Sequence, residues 1–427
     1  MKVLWFTVSP SLAASYLNMP GVGRGWIESL QAKIKCTEGI DMAVAFIHGK
    51  KELNKFNYEN TTYYAMPSKG GRLSKFIDRQ FTRLHDSELI EYCIKVVNDF
   101  KPDIINIFGT EDGFGLVSDK IKVPVVIHLQ GLLTVYEKKW FPPGISRLNI
   151  LNSTDIGNVV RANTLLHQYR YFKKAAYREQ KIFQANKYFL GRTDWDKRVS
   201  SVLSPQSDYF FSSEILRSEF YSYTWEKKNQ KTRTFVSTIQ ANIYKGLETV
   251  LECAILLKEV NEFDFNWFIA GISKEDTIVR IFEKKIGKKF KDFNVLLCGK
   301  LKADDLIKIQ LTADVFLHPS HIDNSPNSIC EAMVLGMPII ATYTGGTGSL
   351  LLDKKEGILI QDGDPYSMAG AVLELMKNPD YAAELGRNAR IRAVKRHNPD
   401  EIVNNLLNIY SEVISRIKKG EQENHIN

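Results

Sequence analysis

Cysteine is scarce and scattered. The 427-residue chain has five, at Cys36, Cys93, Cys253, Cys298 and Cys330, with no C-x-x-C pair and no His-rich neighbourhood. That odd, dispersed set excludes a disulfide framework and argues against a zinc site. Long apolar runs are missing as well: no stretch approaches the ~18 to 20 residues that span a bilayer. The residues after Met1 to Pro10 turn polar and Gly-rich, unlike a secretory leader. The chain therefore reads as cytoplasmic, and the sequons at Asn60 and Asn152 read as ordinary loop sequence. No nucleic-acid reader motif is present. Nor is there a dinucleotide fingerprint: in Gly21-Val-Gly23-Arg24-Gly25 the place of the last Gly is taken by Trp26, and the run starts about a dozen residues past the nearest strand.

What is there fits a globular protein, with 44% hydrophobic and 25% charged residues. The length exceeds one compact core and suits two domains, hence a cleft. The net charge of +8 is unevenly placed. Residues 1–200 carry 29 Lys and Arg against 19 Asp and Glu, and the remainder carries 28 against 30. The basic excess of the first half points to an anionic partner there, whether lipid surface, phosphate-bearing substrate or nucleic acid, and charge alone does not choose among them.

Hydrophobic periodicity sets the organisation. Lys2 to Val8, Met42 to Ile47, Ile104 to Phe108, Val123 to Leu129 and Tyr188 to Gly191 are short strand-like runs, with helical patterns at Trp26 to Ile34, Asp86 to Asp99 and Thr164 to Ala185. A second alternating series starts at Arg233 and continues to the helix Pro365 to Lys377. Alternation of this kind predicts an α/β protein of two Rossmann-like, doubly wound parallel sheets facing across a cleft. The predicted division is an N-terminal domain over 1–203, a linker over 204–232, a C-terminal domain over 233–395, and over 396–427 a helix followed by a fraying polar tail.

The most informative stretch is His318-Pro-Ser-His-Ile-Asp323-Asn-Ser-Pro-Asn-Ser-Ile-Cys-Glu331-Ala-Met-Val-Leu-Gly336. It reads as strand, loop and helix, with Asn324 or Ser325 as N-cap, Pro326 at the first helical position and Gly336 as terminator. The free amides of Asn327 and Ser328 would face the cleft and favour an anion by about 0.3 to 1 kcal/mol, or up to ~2 when partly buried. Glu331 is an isolated acid on an apolar helix. Upstream, Tyr244-Lys245-Gly246 lies between a strand and a helix, where a Lys is a mobile point charge suited to phosphate.

With these motifs the chain resembles, over nearly its whole length, the retaining glycosyltransferases of family four (glycosyl transferases group one), which have the GT-B fold. Asp323 and Glu331 keep the spacing of the family's E-x(seven)-E pattern, with Asp replacing the first Glu. The resemblance implies that Glu331 binds the ribose of a nucleotide sugar, that Asp323 reaches hydroxyls of the transferred sugar, and that Lys245 holds the donor diphosphate. The family's Arg five residues before that Lys is Gln240 here, and Arg24 and Lys300 are candidate replacements. Asn324, Ser325, Asn327, Ser328 and Gly346, the last within Thr344-Gly-Gly-Thr-Gly348, are implied donor contacts, with Gly21 and Gly23 over the phosphates. Near the family's His, this chain has His128-Leu-Gln130 at a strand end. His128 is the catalytic candidate, and Gln130 and Glu111 are candidates for acceptor or sugar contact.

Asp362-Gly-Asp364 fits a D-x-D metal motif but lies in a Gly/Pro turn, so no obligatory cation or cofactor is expected. Arg72, Lys75, Arg79 and Arg83 recur at helical spacing beside Leu73, Phe76, Ile77 and Leu84. This basic amphipathic stretch suits an anionic membrane surface on the cytoplasmic side or a lipid-linked diphosphate. The implied function is transfer of a sugar, with retention and without metal, from a UDP- or GDP-linked donor to a hydroxyl of a glycan or lipid-linked acceptor, in bacterial surface polysaccharide synthesis. The alternatives are a GT-B enzyme of another class, such as an inverting transferase or an epimerase, and a non-catalytic nucleotide-sugar binder.

Overall fold

Successive apolar runs pair in parallel, and amphipathic helices cover their faces. The computed structural model describes residues 1–19, 25–49, 52–68, 72–152, 156–227 and 230–426. The first sheet holds eight strands: β1 (Lys2–Thr7), β2 (Asp41–His48), β3 (Asn54–Tyr58), β4 (Thr61–Pro67), β5 (Ile104–Phe108), β6 (Val125–His128), β7 (Tyr188–Gly191) and β8 (Asp208–Phe211). Their order is β3-β4-β2-β1-β5-β6-β7-β8, parallel throughout except for the β3–β4 hairpin. The second sheet holds β9 (Arg233–Thr238), β10 (Phe265–Ala270), β11 (Val295–Gly299), β12 (Val315–His318), β13 (Ile339–Thr342) and β14 (Ile358–Ile360). Their order is β11-β10-β9-β12-β13-β14, all parallel. Two doubly wound α/β sheets in one chain make the GT-B architecture.

Three elements depart from the sequence pattern. In the β3–β4 hairpin, β3 is half polar and β4 is mostly buried, and the pair is read only once Glu59 and Asn60, both at positive φ, close a two-residue turn. Strand β8 pairs with β7, so the first sheet extends to Phe211, into the segment read as linker. Helix Pro379–Arg396 has little apolar periodicity in the sequence, because its buried positions are mostly alanine.

The chain finally crosses back. Helix Pro399–Ile426 packs Leu406, Ile409, Tyr410 and Val413 against the first sheet's core, beside Trp5 and Leu30. Trp5 Nε1 donates to Tyr410 Oη at 3.2 Å. Burying each such side chain is worth about 1.5 to 3 kcal/mol before the entropy cost of ordering it. The helix continues through the expected polar tail, where Glu421, Gln422 and Glu423 are good helix formers. Among the described residues no helix is long and apolar enough to cross a membrane.

In open parallel sheets ligands bind at the carboxyl ends of the strands. Here the segments after β6 and β7 meet those after β9, β12 and β13.

Candidate active site

Strand β9 ends at Thr238, and a short 3-10 turn, Ile243–Lys245, carries the chain to helix Leu247–Val260. Gly246 makes that turn possible. It sits at φ +75°, and a Cβ there would lie 2.0 Å from the Pro319 carbonyl oxygen. Gly246→Ala is accordingly expected to cost about 1 to 3 kcal/mol in backbone strain plus the clash, seen as a lowered melting temperature and a weakened donor site. The close approach delivers Lys245 to the loop after β12.

There Lys245 Nζ meets Asp323 Oδ2 at 2.6 Å, both side chains only 13% exposed. His318 Nε2, at the end of β12, stands 3.4 Å from the same oxygen. Burial works to raise the Asp323 carboxyl, but Lys245 and His318 override it and hold the group well below the usual carboxylate range. Gly345 serves this loop as Gly246 serves the other: at φ +51°, its Cβ would lie 1.8 Å from the Asp323 carbonyl.

Helix Asn327–Leu335 begins one residue later than expected. Pro326 is its N-cap, without a side-chain cap bond, because Asn324 and Ser325 are spent elsewhere. Asn324 Nδ2 donates to the Gln130 carbonyl at 2.8 Å and to Asp196 at 2.9 Å, and its Oδ1 accepts from Thr193 at 2.7 Å. It is an interdomain strut. Ser325 donates to buried Glu214 at 2.6 Å. No described residue accepts from the Asn327 or Ser328 amides, which begin the helix. Gly346 packs against the Asn324 carbonyl and Thr193.

Glu331 is 4% exposed and gripped from the interdomain segment: Arg217 Nε and Nη2 reach its two oxygens at 2.7 Å each. Burial raises its carboxyl and Arg217 offsets part of that. The acid on an apolar helix signalled a partner, but nothing local identified Arg217.

On the facing domain, Glu111 follows β5. Its Oε1 accepts from the Gly131 amide at 3.0 Å, and its Oε2 is buried with no partner among the described residues. Burial pushes the group up to about 7, with Glu179 and Asp112 adding to it and the Gly131 amide opposing. Tyr136 lies against Gly131 and, edge-on at 5.6 Å, against Tyr244 next to Lys245. Burial raises both phenols, and Asp323 and Glu111 both add to it, so the two carboxylates flank this aromatic pair.

His128 does not join them. It is 0% exposed, edge-on to Trp26 at 4.7 Å and stacked on Phe108 at 5.4 Å, and burial with nearby Arg192 pushes it down to about 3. In this structure it is a neutral core histidine, while Gln130 presents its carbonyl to Asn324 and Arg192. Gly21, Gly23 and Arg24 lie outside the described residues, as do the side chains of Arg72 and Lys75. Lys300 is exposed, and Gln240 is engaged with Asn242.

Asp362 faces His321 and Lys139, each at 3.5 Å. Glu214, Cys330 and His397 bring three ligand atoms within 4.8 Å of one another. That cluster suits a cation poorly: against the effect of burial, Arg192, His397 and Arg396 already hold Glu214 ionised at about 2.

Comparison with known proteins agrees with this layout. Residues 224–392 match the family described as glycosyl transferases group 1. An uncharacterized glycosyltransferase of Methanocaldococcus jannaschii is 21% identical over 80% of this chain and 95% of its own length. Among solved structures, sucrose-phosphate synthase from Thermosynechococcus elongatus superposes with a TM-score of 0.71 at 12% identity, covering 97% of this chain and all of its own. HepE of Anabaena, in complex with UDP and glucose, gives 0.61 at 13% identity over 96% of this chain and 99% of its own.

Proposed function

We propose that this chain, with its GT-B fold and its match to glycosyl transferases group 1 over residues 224–392, transfers a sugar from a UDP- or GDP-linked donor to a hydroxyl of a glycan or lipid-linked acceptor, with retention and without a metal. The observation that carries this reading is the Lys245–Asp323 pair, set in the same loop system as the unpartnered amides of Asn327 and Ser328. An arriving diphosphate competes with Asp323 for Lys245. The carboxylate so released accepts hydrogen bonds from hydroxyls of the transferred sugar, and Glu331, already oriented by Arg217, accepts from the ribose.

Catalysis is then largely electrostatic. Charge accumulates on the departing diphosphate, where Lys245 and the helix amides are already in place, and a preorganised donor is worth about 10²- to 10³-fold in rate. The acceptor hydroxyl attacks the face from which the diphosphate leaves and gives its proton to a donor phosphate oxygen. Glu111 and the Gln130 segment hold the acceptor. The exposed Phe76 and Phe81 with Arg79 and Arg83 supply a peripheral contact with anionic lipid at the cytoplasmic face. Co-sedimentation with anionic but not neutral vesicles is expected, and equal recovery from both removes that part of the reading. Surface polysaccharide synthesis is the setting that such an acceptor suits.

The test is mass-spectrometric detection of donor hydrolysis across a panel of nucleotide sugars, with Glu331→Ala alongside. One donor cleaved by the parent and not by the variant supports the reading. Melting-temperature shifts with UDP or GDP but no turnover, with or without acceptors, would turn it to a binder.

Glu111 favours a second reading, an inverting enzyme with Glu111 as base, because its unpartnered oxygen titrates in the range a base needs. Only the ionised form accepts a proton, so turnover would rise with pH through about 7, and Glu111→Gln would cost about 10²- to 10⁴-fold in kcat. With retention, Glu111→Gln raises the acceptor KM and leaves kcat within about tenfold. The anomeric configuration of the product separates the two.

A further inference from the structure

A second charged concavity lies between the domains, away from the aromatic pair. It is a crevice of about 390 Å³, walled by the loop after β7, the helix that follows and β8 on one side and by the Ser349 and Arg396 segments on the other. That volume lies within the ~300 to 1,000 Å³ of small-molecule sites. Four cationic side chains, Arg192, Lys197, Arg392 and Arg396, line it, against Asp194 as the single acid of the lining.

Each guanidinium makes one internal bond, Arg192 Nη2 to the Gln130 carbonyl, Arg392 Nη2 to the Ser349 carbonyl and Arg396 Nη2 to the Arg192 carbonyl, and other donors are left over. Arg192 is 4% exposed, and its carboxylate neighbour Glu214 stands at 3.9 Å, beyond hydrogen-bond distance. Among the described residues its Nε has no partner, and neither has the Nε of Arg396. Arg392 meets Glu356 only at 3.6 Å, and Lys197 is exposed with no carboxylate within 4.0 Å among the described residues. Arg192 and Arg396 share one buried carboxylate, Glu214, which leaves the crevice with an excess of positive charge that an anion would offset. Guanidinium forks match phosphate oxygens in pairs.

We propose that this crevice is a second anion site, for a soluble ligand bearing two or more phosphate charges, and that its occupant clamps the two domains together. Thr193, which lines the crevice, is bonded to Asn324, the residue after Asp323. The clamp therefore bears directly on the loop that presents the donor-side carboxylate. The ligand draws Arg192 and Lys197 from the first domain and Arg392 and Arg396 from the second, so the site exists only while the domains are together.

Inorganic pyrophosphate is the probe, at matched ionic strength and with UDP saturating so that the donor site is filled. The parent is expected to gain roughly 3 to 6 °C in melting temperature at a large excess of probe over its Kd. Lys245→Ala keeps that gain, whereas Lys197→Ala/Arg392→Ala loses it. Lys197→Glu, a single change at an exposed position, loses it as well and guards against misfolding of the double variant. No gain in the parent, a gain retained in the crevice variants, or a gain lost in Lys245→Ala would overturn the proposal. The last outcome would assign the effect to the donor site.

Discussion

Lys245→Ala is expected to lower turnover by about 10²- to 10³-fold, measured as donor hydrolysis or transfer at saturating donor. The same change is expected to destabilise the fold. It leaves Asp323 charged, largely buried and short of its nearest cation, and breaking a buried pair from one side costs about 3 to 5 kcal/mol. His318 retains part of the compensation, which places the loss toward the lower end. The two effects separate in Lys245→Ala/Asp323→Asn, which removes both charges. That variant is expected to recover most of the melting temperature and none of the activity. If it recovered activity too, Lys245 would be a structural counterion, and the diphosphate would be held elsewhere.

Arg217→Ala is expected to produce the second large loss, again about 3 to 5 kcal/mol at neutral pH, because Glu331 is buried and both its oxygens bond to that one guanidinium. The pH dependence follows from the direction of the Glu331 shift. Its carboxyl sits above the ordinary value in the folded chain, burial outweighing Arg217. A group that binds its proton more tightly when folded stabilises the fold at low pH, and that contribution falls away as pH rises through the folded value. Removing Arg217 deletes the offset and moves the folded value higher. The variant's deficit should therefore be smallest near pH 5 and grow toward pH 8, in denaturant melts across that range. A deficit flat with pH would mean that the loss is one of packing between Arg217 and Phe220, whose ring lies 4.7 Å from the guanidinium. In the donor reading, Arg217→Ala also raises the donor KM more than it lowers kcat, because Glu331 then lacks its orienting partner.

Much of this protein follows from local chemistry alone. The strands β5, β7 and β12 and the helices at Trp26, Leu247 and Pro365 lie where apolar runs and their punctuation place them, because each run is buried whatever surrounds it. The Lys-Gly and Asp-to-Glu motifs are likewise local: a turn forced by Gly246 and a helix ended by Gly336 need no distant partner to form. Tertiary structure decided the rest. It drew Asn324 out of a capping role to bridge to Gln130, Thr193 and Asp196, and it put His128 under Trp26 rather than at the cleft. Residues two apart on a strand share a face, but whether that face meets ligand or core depends on what packs over it. It also supplied Arg217 to Glu331 across 114 residues of chain. Buried charges must find partners, and nothing along the sequence specifies which of 57 Lys and Arg residues will be near, since that is settled only when the two domains close on each other.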